Sequence, residues 1–154
     1  MKKKRKEDNL FSFFLSLKHD IIKDICSINR QERTMKEKYE LWIKTFMESW
    51  KELNWKKTLD IISNDCEYYE NPIDPPCASF EDIVNLWNVV GDNQKDIKYQ
   101  YEIIAYNEEV CIVNWQMTRT MTKQNIKQEI DGVFQISLDA EGKCDYFKQW
   151  RFTR

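Results

Sequence analysis

The chain is poor in the residues that most catalytic and metal sites use. It has 154 residues but one histidine, His19, three glycines and three prolines. A single histidine excludes a multi-histidine metal centre and, away from His19, a Ser–His pair or a histidine base. Gly91, Gly132 and Gly142 stand far apart, so no glycine-rich phosphate loop exists. The five cysteines (Cys26, Cys66, Cys77, Cys111, Cys144) are odd in number and form no C-x-x-C pair. That argues against a disulfide framework and against a zinc ribbon, and for reduced thiols in a cytoplasm. The formal charge of −2 gives no global attraction to nucleic acid. No apolar run is long enough to span a bilayer.

Aromatic residues are plentiful, at 14% with six Trp and seven Tyr. They supply large apolar surfaces with polar tips, which suit a core and equally a ligand cavity. The first thirty-four residues differ from the rest. Lys2-Lys-Lys-Arg-Lys6 precedes Leu10-Phe-Ser-Phe-Phe-Leu-Ser-Leu17. The order resembles a signal peptide, but Glu7, Asp8 and Lys18-His19-Asp20 do not fit one. The segment reads instead as a basic extension, partly helical or disordered, with an amphipathic helix through Leu17, Ile21, Ile22 and Ile25. Met35 is also a plausible start, which would leave 1–34 outside the native chain.

From Met35 the pattern becomes regular. Leu41, Phe46, Trp50 and Leu53 predict one helix. Asn54 caps a second, with Trp55, Leu59 and Ile62 on one face. A short strand follows at 66–69, then a rigid loop holding Pro72, Pro75 and Pro76. Ser79 opens a third helix with Asp82 as capping partner, and Gly91 marks its end. Segments 97–106, 110–121, 126–138 and 143–152 are rich in β-branched and aromatic residues and predict strands. Turns are expected at Asn107-Glu108 and Asp139–Gly142. This order predicts an α+β fold: about three helices packed in a strongly bent antiparallel sheet, with an extra N-terminal helical segment ahead of a domain at 35–154.

Asn64-Asp-Cys-Glu-Tyr-Tyr-Glu-Asn-Pro72, Pro75-Pro76, Ser79-x-Glu-Asp-Ile83 and Trp87 resemble the opening half of nuclear-transport-factor-2-like and SnoaL-like (cystatin-like cone) proteins. Glu129–Phe134, Leu138-Asp139, Glu141–Cys144 and Phe147-x-x-Trp150 resemble their last hairpin. The resemblance covers about residues 36–152 and implies a cone with a pocket. Fold does not give function. Steroid isomerases of this superfamily use a carboxylate base before a proline; here Asn71 stands there, with Glu70 adjacent and expected on the opposite face. Their helix tyrosine falls on Phe46. Their second, protonated aspartate corresponds to Asp131. The histidine–aspartate dyad of the polyketide cyclases has no counterpart.

The resemblance makes Asp131 the candidate acid or base; the alternative is a sheet carboxylate paired with Arg119 or Lys127 or facing water. Candidate pocket residues are Phe46, Trp50, Tyr68, Tyr69, Asn71, Trp87, Trp115 and Trp150, though Trp at such spacing fits a core equally well. One of Tyr68 and Tyr69 should face the cavity. Cys66 and Cys111 read as small buried hydrophobes. The expected function is binding of a small apolar or aromatic ligand, without cofactor, metal, nucleic acid or membrane. A homodimer is expected through the outer sheet face, with Val113, Phe134 and Ile136 as candidates. An isomerase, dehydratase or cyclase using Asp131 is the alternative, and a protein-interaction adaptor with a filled cavity the third.

Overall fold

The computed structural model describes the backbone of residues 2–154 and the side chains of Leu17, Lys18 and residues 21–154. The side chains of the basic run, of Leu10–Leu15 and of His19 lie outside the described residues. The chain divides into two compact units, Met1–Met35 and Lys36–Arg154. Helix α1 is Lys2–Lys51. In the first unit its described residues include the exposed apolar side chains Leu17, Ile21, Ile22, Ile25 and Ile28.

In the second unit, α1 buries Tyr39, Trp42, Ile43, Phe46, Met47 and Trp50. These fall at i, i+3, i+4, i+7, i+8 and i+11, one face of a 3.6-residue helix. Leu41, expected on that face, is 67% exposed; the stripe is anchored on Trp42 instead. Helix α2 (Trp55–Asp60) is capped by Asn54, whose side chain accepts from Lys57 N. Ile62 does not extend α2. It opens strand β1 (Ile62–Tyr69), which therefore starts four residues earlier than its hydrophobic signal suggests. Helix α3 (Phe80–Asp92) is capped by Ser79, whose Oγ accepts from Asp82 N. Gly91 lies within it and does not end it.

Strands β2 (Gln94–Tyr106), β3 (Cys111–Met121), β4 (Ile126–Leu138) and β5 (Cys144–Thr153) form an antiparallel meander. The sheet is curved, with the order β1-β5-β4-β3-β2. It is mixed, not wholly antiparallel, because β1 runs parallel to β5. Parallel neighbours need a long crossover, and α3 with the whole meander supplies it. The expected turns form at Asn107, whose Oδ1 accepts from Glu109 N and Val110 N at 2.8 Å, and at Asp139–Lys143. In the latter, Gly142 has φ +81°, a value that L side chains rarely adopt.

Register fixes which side chains share a face. Trp115 pairs with Gly132, Val113 with Phe134, and Cys111 with Ile136. Phe134 pairs with Gln149, and Gly132 with Arg151. Val113, Phe134 and Ile136 have no exposed surface. They line the inner face and cannot form an outer interface; one step of the pleat separates the two readings. The outer face carries Asn114, Gln116, Asp131, Val133, Trp150 and Phe152.

Candidate functional site

Five of the expected pocket residues come together inside. Phe46 is their hub, with ring centroids 6.0 Å from Trp50, 5.4 Å from Trp87 and 5.4 Å from Phe147. Trp115 stacks on Phe134 at 4.7 Å, and Tyr68 stacks on Phe147 at 4.6 Å. Tyr68 is the tyrosine that points inward, and burial pushes its phenol well above the ordinary range. These rings are in mutual contact and form a packed wall. Beside them Ser49, Trp50, Trp55, Trp87 and Gly91 line a crevice too narrow to hold a water molecule.

Three of the expected residues lie elsewhere. Tyr69 is one step out of phase with Tyr68. It donates to Glu67, and Lys148 Nζ lies 4.6 Å from its ring. Trp150 pairs with Val133 on the outer face and is 37% exposed. Asn71 turns its own loop: Oδ1 accepts from Ile73 N at 3.0 Å and Asp74 N at 2.9 Å.

Asp131 is also on the outer face, across from Gln116 and Phe152. Its carboxylate is half exposed and 3.7 Å from Arg154. It lines an open hollow of about 520 Å³ with Lys98, Gln100, Gln116, Thr118 and Arg154. Gly132, not Asp131, faces the indole of Trp115. A Cβ there would lie 2.7 Å from Trp115 Nε1, so the ring rests directly on the backbone. Neither expected partner of Asp131 is found: Arg119 bonds elsewhere, and Lys127 is not its ion pair.

The inner face instead assembles a polar cluster beyond the aromatic wall. Cys66 and Tyr68 point inward on β1, so the next residue in phase is Glu70. It forms a 2.8 Å ion pair with Arg151, which projects from the same face of β5. Their side chains are 27% and 32% exposed. Burial raises the pKa of Glu70, while Arg151, Gln149 and Arg119 act against that shift. On β3, two steps beyond Met117, Arg119 donates to Gln128 Oε1 at 2.9 Å and to Gln94 Oε1 at 3.0 Å. Gln94 Oε1 also accepts from Trp50 Nε1 at 3.3 Å. Desolvation and the positive charge of Arg151 lower the pKa of Arg119, and Glu70 opposes them.

Three buried polar atoms around this cluster lack a partner among the described residues: Trp87 Nε1, Trp115 Nε1 and Gln149 Oε1. Trp87 Nε1 lies near enough to the Tyr68 hydroxyl to hold its pKa down slightly, without reaching hydrogen-bond geometry. Unpaired buried donors and acceptors are rare in folded proteins. Glu70, Arg119 and Gln149 were legible only through strand phase, each two residues from an inward aromatic or apolar residue, and Arg151 lies two residues beyond Gln149. Among the described residues, no group of three or more His, Cys, Asp or Glu side chains is placed to hold a metal ion. Burial pushes the Cys111 thiol up to about 12, and Cys66 is also buried, which fits small hydrophobes.

No protein-family model matches the chain, and no curated protein matches it in sequence. Its backbone does match solved structures. A scytalone-dehydratase-like protein of Novosphingobium aromaticivorans matches at a TM-score of 0.71 and 10% identity, over 82% of this chain and 90% of that one. The Δ5-3-ketosteroid isomerase of Mycobacterium sp. matches at 0.62 and 10% identity, over 74% and 96%. A nuclear-transport-factor-2-like protein of Burkholderia xenovorans matches at 0.59 and 19% identity, over 75% and 90%. The chain has the nuclear-transport-factor-2-like fold. At these identities the likeness concerns the fold alone. In this chain the wall of Phe46, Tyr68, Trp87 and Trp115 and the Glu70–Arg151–Arg119 cluster occupy one face of the sheet, and Asp131 the other.

Proposed function

We propose that residues 35–154 bind a small molecule with an apolar or aromatic body and an anionic group at the inner face of the sheet. The observation that carries this reading is the cluster of one carboxylate and two guanidiniums beside three unpartnered buried polar atoms. Glu70 neutralises one arginine and leaves one positive charge. A ligand carboxylate can take a bidentate bond from a guanidinium, while its body lies against the edge of the aromatic wall beside Glu70 and Arg151. The unpartnered indole N–H groups then gain an acceptor. Few polar groups against an apolar wall is the usual form of such a site. Reduced thiols keep the cytoplasmic reading. A homodimer through the outer sheet face would use Val133, Trp150 and Phe152.

The test is a thermal-shift screen with benzoate, phenylacetate and their uncharged amides, on the parent chain and on Arg119→Met. A native-state ligand raises stability by mass action. The expected result is stabilisation by the acids but not the amides, lost in Arg119→Met. Equal stabilisation by acid and amide, or none by either, refutes the reading.

A second reading has its own support. Glu70 stands next to the Asn71-Pro72 pair on the inner face, with its pKa raised by burial. A desolvated carboxylate of this kind suits proton transfer. It takes the acid–base role that the sequence pointed to at Asp131. Isomerisation of a Δ5-3-ketosteroid, followed by absorbance, is expected to stop in Glu70→Gln and continue in Asp131→Asn. No turnover by the parent chain, or turnover that survives Glu70→Gln, removes this reading.

A further inference from the structure

Helix α1 carries an apolar face that does not belong to the site above. In the first unit Leu17, Ile21, Ile22, Ile25 and Ile28 are 45–58% exposed. Leu17, Ile21, Ile25 and Ile28 follow one another at i, i+4, i+8 and i+11, with Ile22 beside them. Contiguous large apolar side chains on a helix face mark an interaction surface.

Two features identify its partner. The first is charge. Residues 1–35 hold nine basic and five acidic residues, whereas 36–154 hold fifteen and twenty-one. Five of the nine are the run Lys2–Lys6, at the positive end of the helix dipole, and no acidic residue stands in that first turn. Cations there are unfavourable, and an anionic surface would offset the cost. The second is the width of the face. The five apolar residues spread over about 140° at 100° per residue, far wider than a two-helix seam. In the heptad Leu17, Ile21, Asp24, Ile28, Gln31, two core positions are polar, which disfavours pairing with a second copy. A wide apolar arc with a basic run three turns before it on the same helix fits a helix that lies in a membrane interface.

We propose that this helix docks on anionic lipid surfaces, with the isoleucine stripe at the acyl boundary and the basic run on the headgroups. Among the described residues, no helix is long and apolar enough to cross a membrane; an interfacial helix does not need to be. The test is co-sedimentation of the full chain with phosphatidylcholine vesicles, with and without phosphatidylserine. Binding is expected only with phosphatidylserine, and it should fall as salt rises. Replacing the run (Lys2→Gln, Lys3→Gln, Lys4→Gln, Arg5→Gln, Lys6→Gln) should weaken partitioning more than about tenfold. Ile21→Glu with Ile25→Glu should abolish it while leaving the thermal transition unchanged. No binding to phosphatidylserine vesicles overturns the proposal, as does binding that ignores Ile21→Glu with Ile25→Glu. A dimer that these substitutions break, without vesicle binding, assigns the stripe to a second copy and also overturns it.

Discussion

Gly132→Ala tests whether the inner face is built as described. A methyl group at this position would lie 2.6 Å from Trp150 O and 2.7 Å from both Cε2 and Nε1 of Trp115. Neither neighbour yields easily. The carbonyl belongs to the β4–β5 ladder, where Val133 pairs with Trp150. The indole is 1% exposed and held by Phe134 on one side and Trp50 on the other, at 4.7 and 5.7 Å. Overpacking of this kind costs about 1–3 kcal/mol. Replacing glycine by alanine returns about 0.4–1 kcal/mol through the unfolded chain. A net loss of about 1–2 kcal/mol is therefore expected, read as a lower urea midpoint at unchanged slope. Repeating the substitution in Trp115→Phe, which removes Nε1 and Cε2, should reduce the loss by more than about 0.5 kcal/mol. If Gly132→Ala is as stable as the parent, Trp115 does not rest on Gly132. Trp115 would then be free to face elsewhere, and the phase of β4 argued above would be wrong.

Phe46→Ala removes the hub of the aromatic cluster and should cost about 3–5 kcal/mol in urea denaturation. Ser79→Ala removes the cap of α3 and should cost about 0.5–2 kcal/mol by the same measurement. Arg151→Met leaves Glu70 half-buried without its closest countercharge and should cost about 1–3 kcal/mol near neutral pH, with most of the loss recovered under acid. Glu70 binds its proton more tightly in the folded chain than in the unfolded one, where its pKa is about 4.5. Folding then takes up a proton between the two values, so this residue makes stability fall as pH rises through that window. Thermal melts of Glu70→Gln should lack that part of the slope.

Element type was legible where the period was clear. The meander strands and α3 follow from β-branched runs and from the Ser79–Asp82 cap. Boundaries were less so, because apolar residues continue across them. Ile62 sits at helical spacing from Trp55 and Leu59, yet it is the first residue of β1. On α1 the five-residue gap from Leu41 to Phe46 fits the face poorly, and Trp42 is the residue that completes it. Strand phase was hardest to read. On β4 both alternating sets contain apolar residues, Ile130 and Phe134 on one side and Val133 on the other. The signal that resolves them is Gly132: between two large apolar neighbours, a missing side chain marks the place where another ring lies. Once β1 is phased by Cys66 and Tyr68, Glu70 follows inward and Asn71 cannot. The parallel pairing of β1 with β5 had no local signal, since it joins segments separated by the whole meander.

The charge balance of the inner cluster bears most directly on what it does. Among the described residues Arg119 has no carboxylate within ion-pair distance, and it bonds to the neutral amides of Gln94 and Gln128. Arg151 has Glu70, and a second arginine nearby weakens the case for either as a purely structural element. Two guanidiniums sharing one carboxylate is costly when partly desolvated, and the lowered pKa of Arg119 expresses that cost. The surrounding unit is acidic, with twenty-one acidic and fifteen basic residues, so a further carboxylate would be easy to supply. Glutamines stand in its place. They orient Arg119 through fixed acceptors and leave its charge uncancelled, which is what a site for an incoming anion needs. A Gln128→Glu chain should therefore be more stable than the parent and respond less to benzoate in the thermal-shift assay. If it gains stability and keeps the full response, the uncancelled charge of Arg119 is not what holds the ligand.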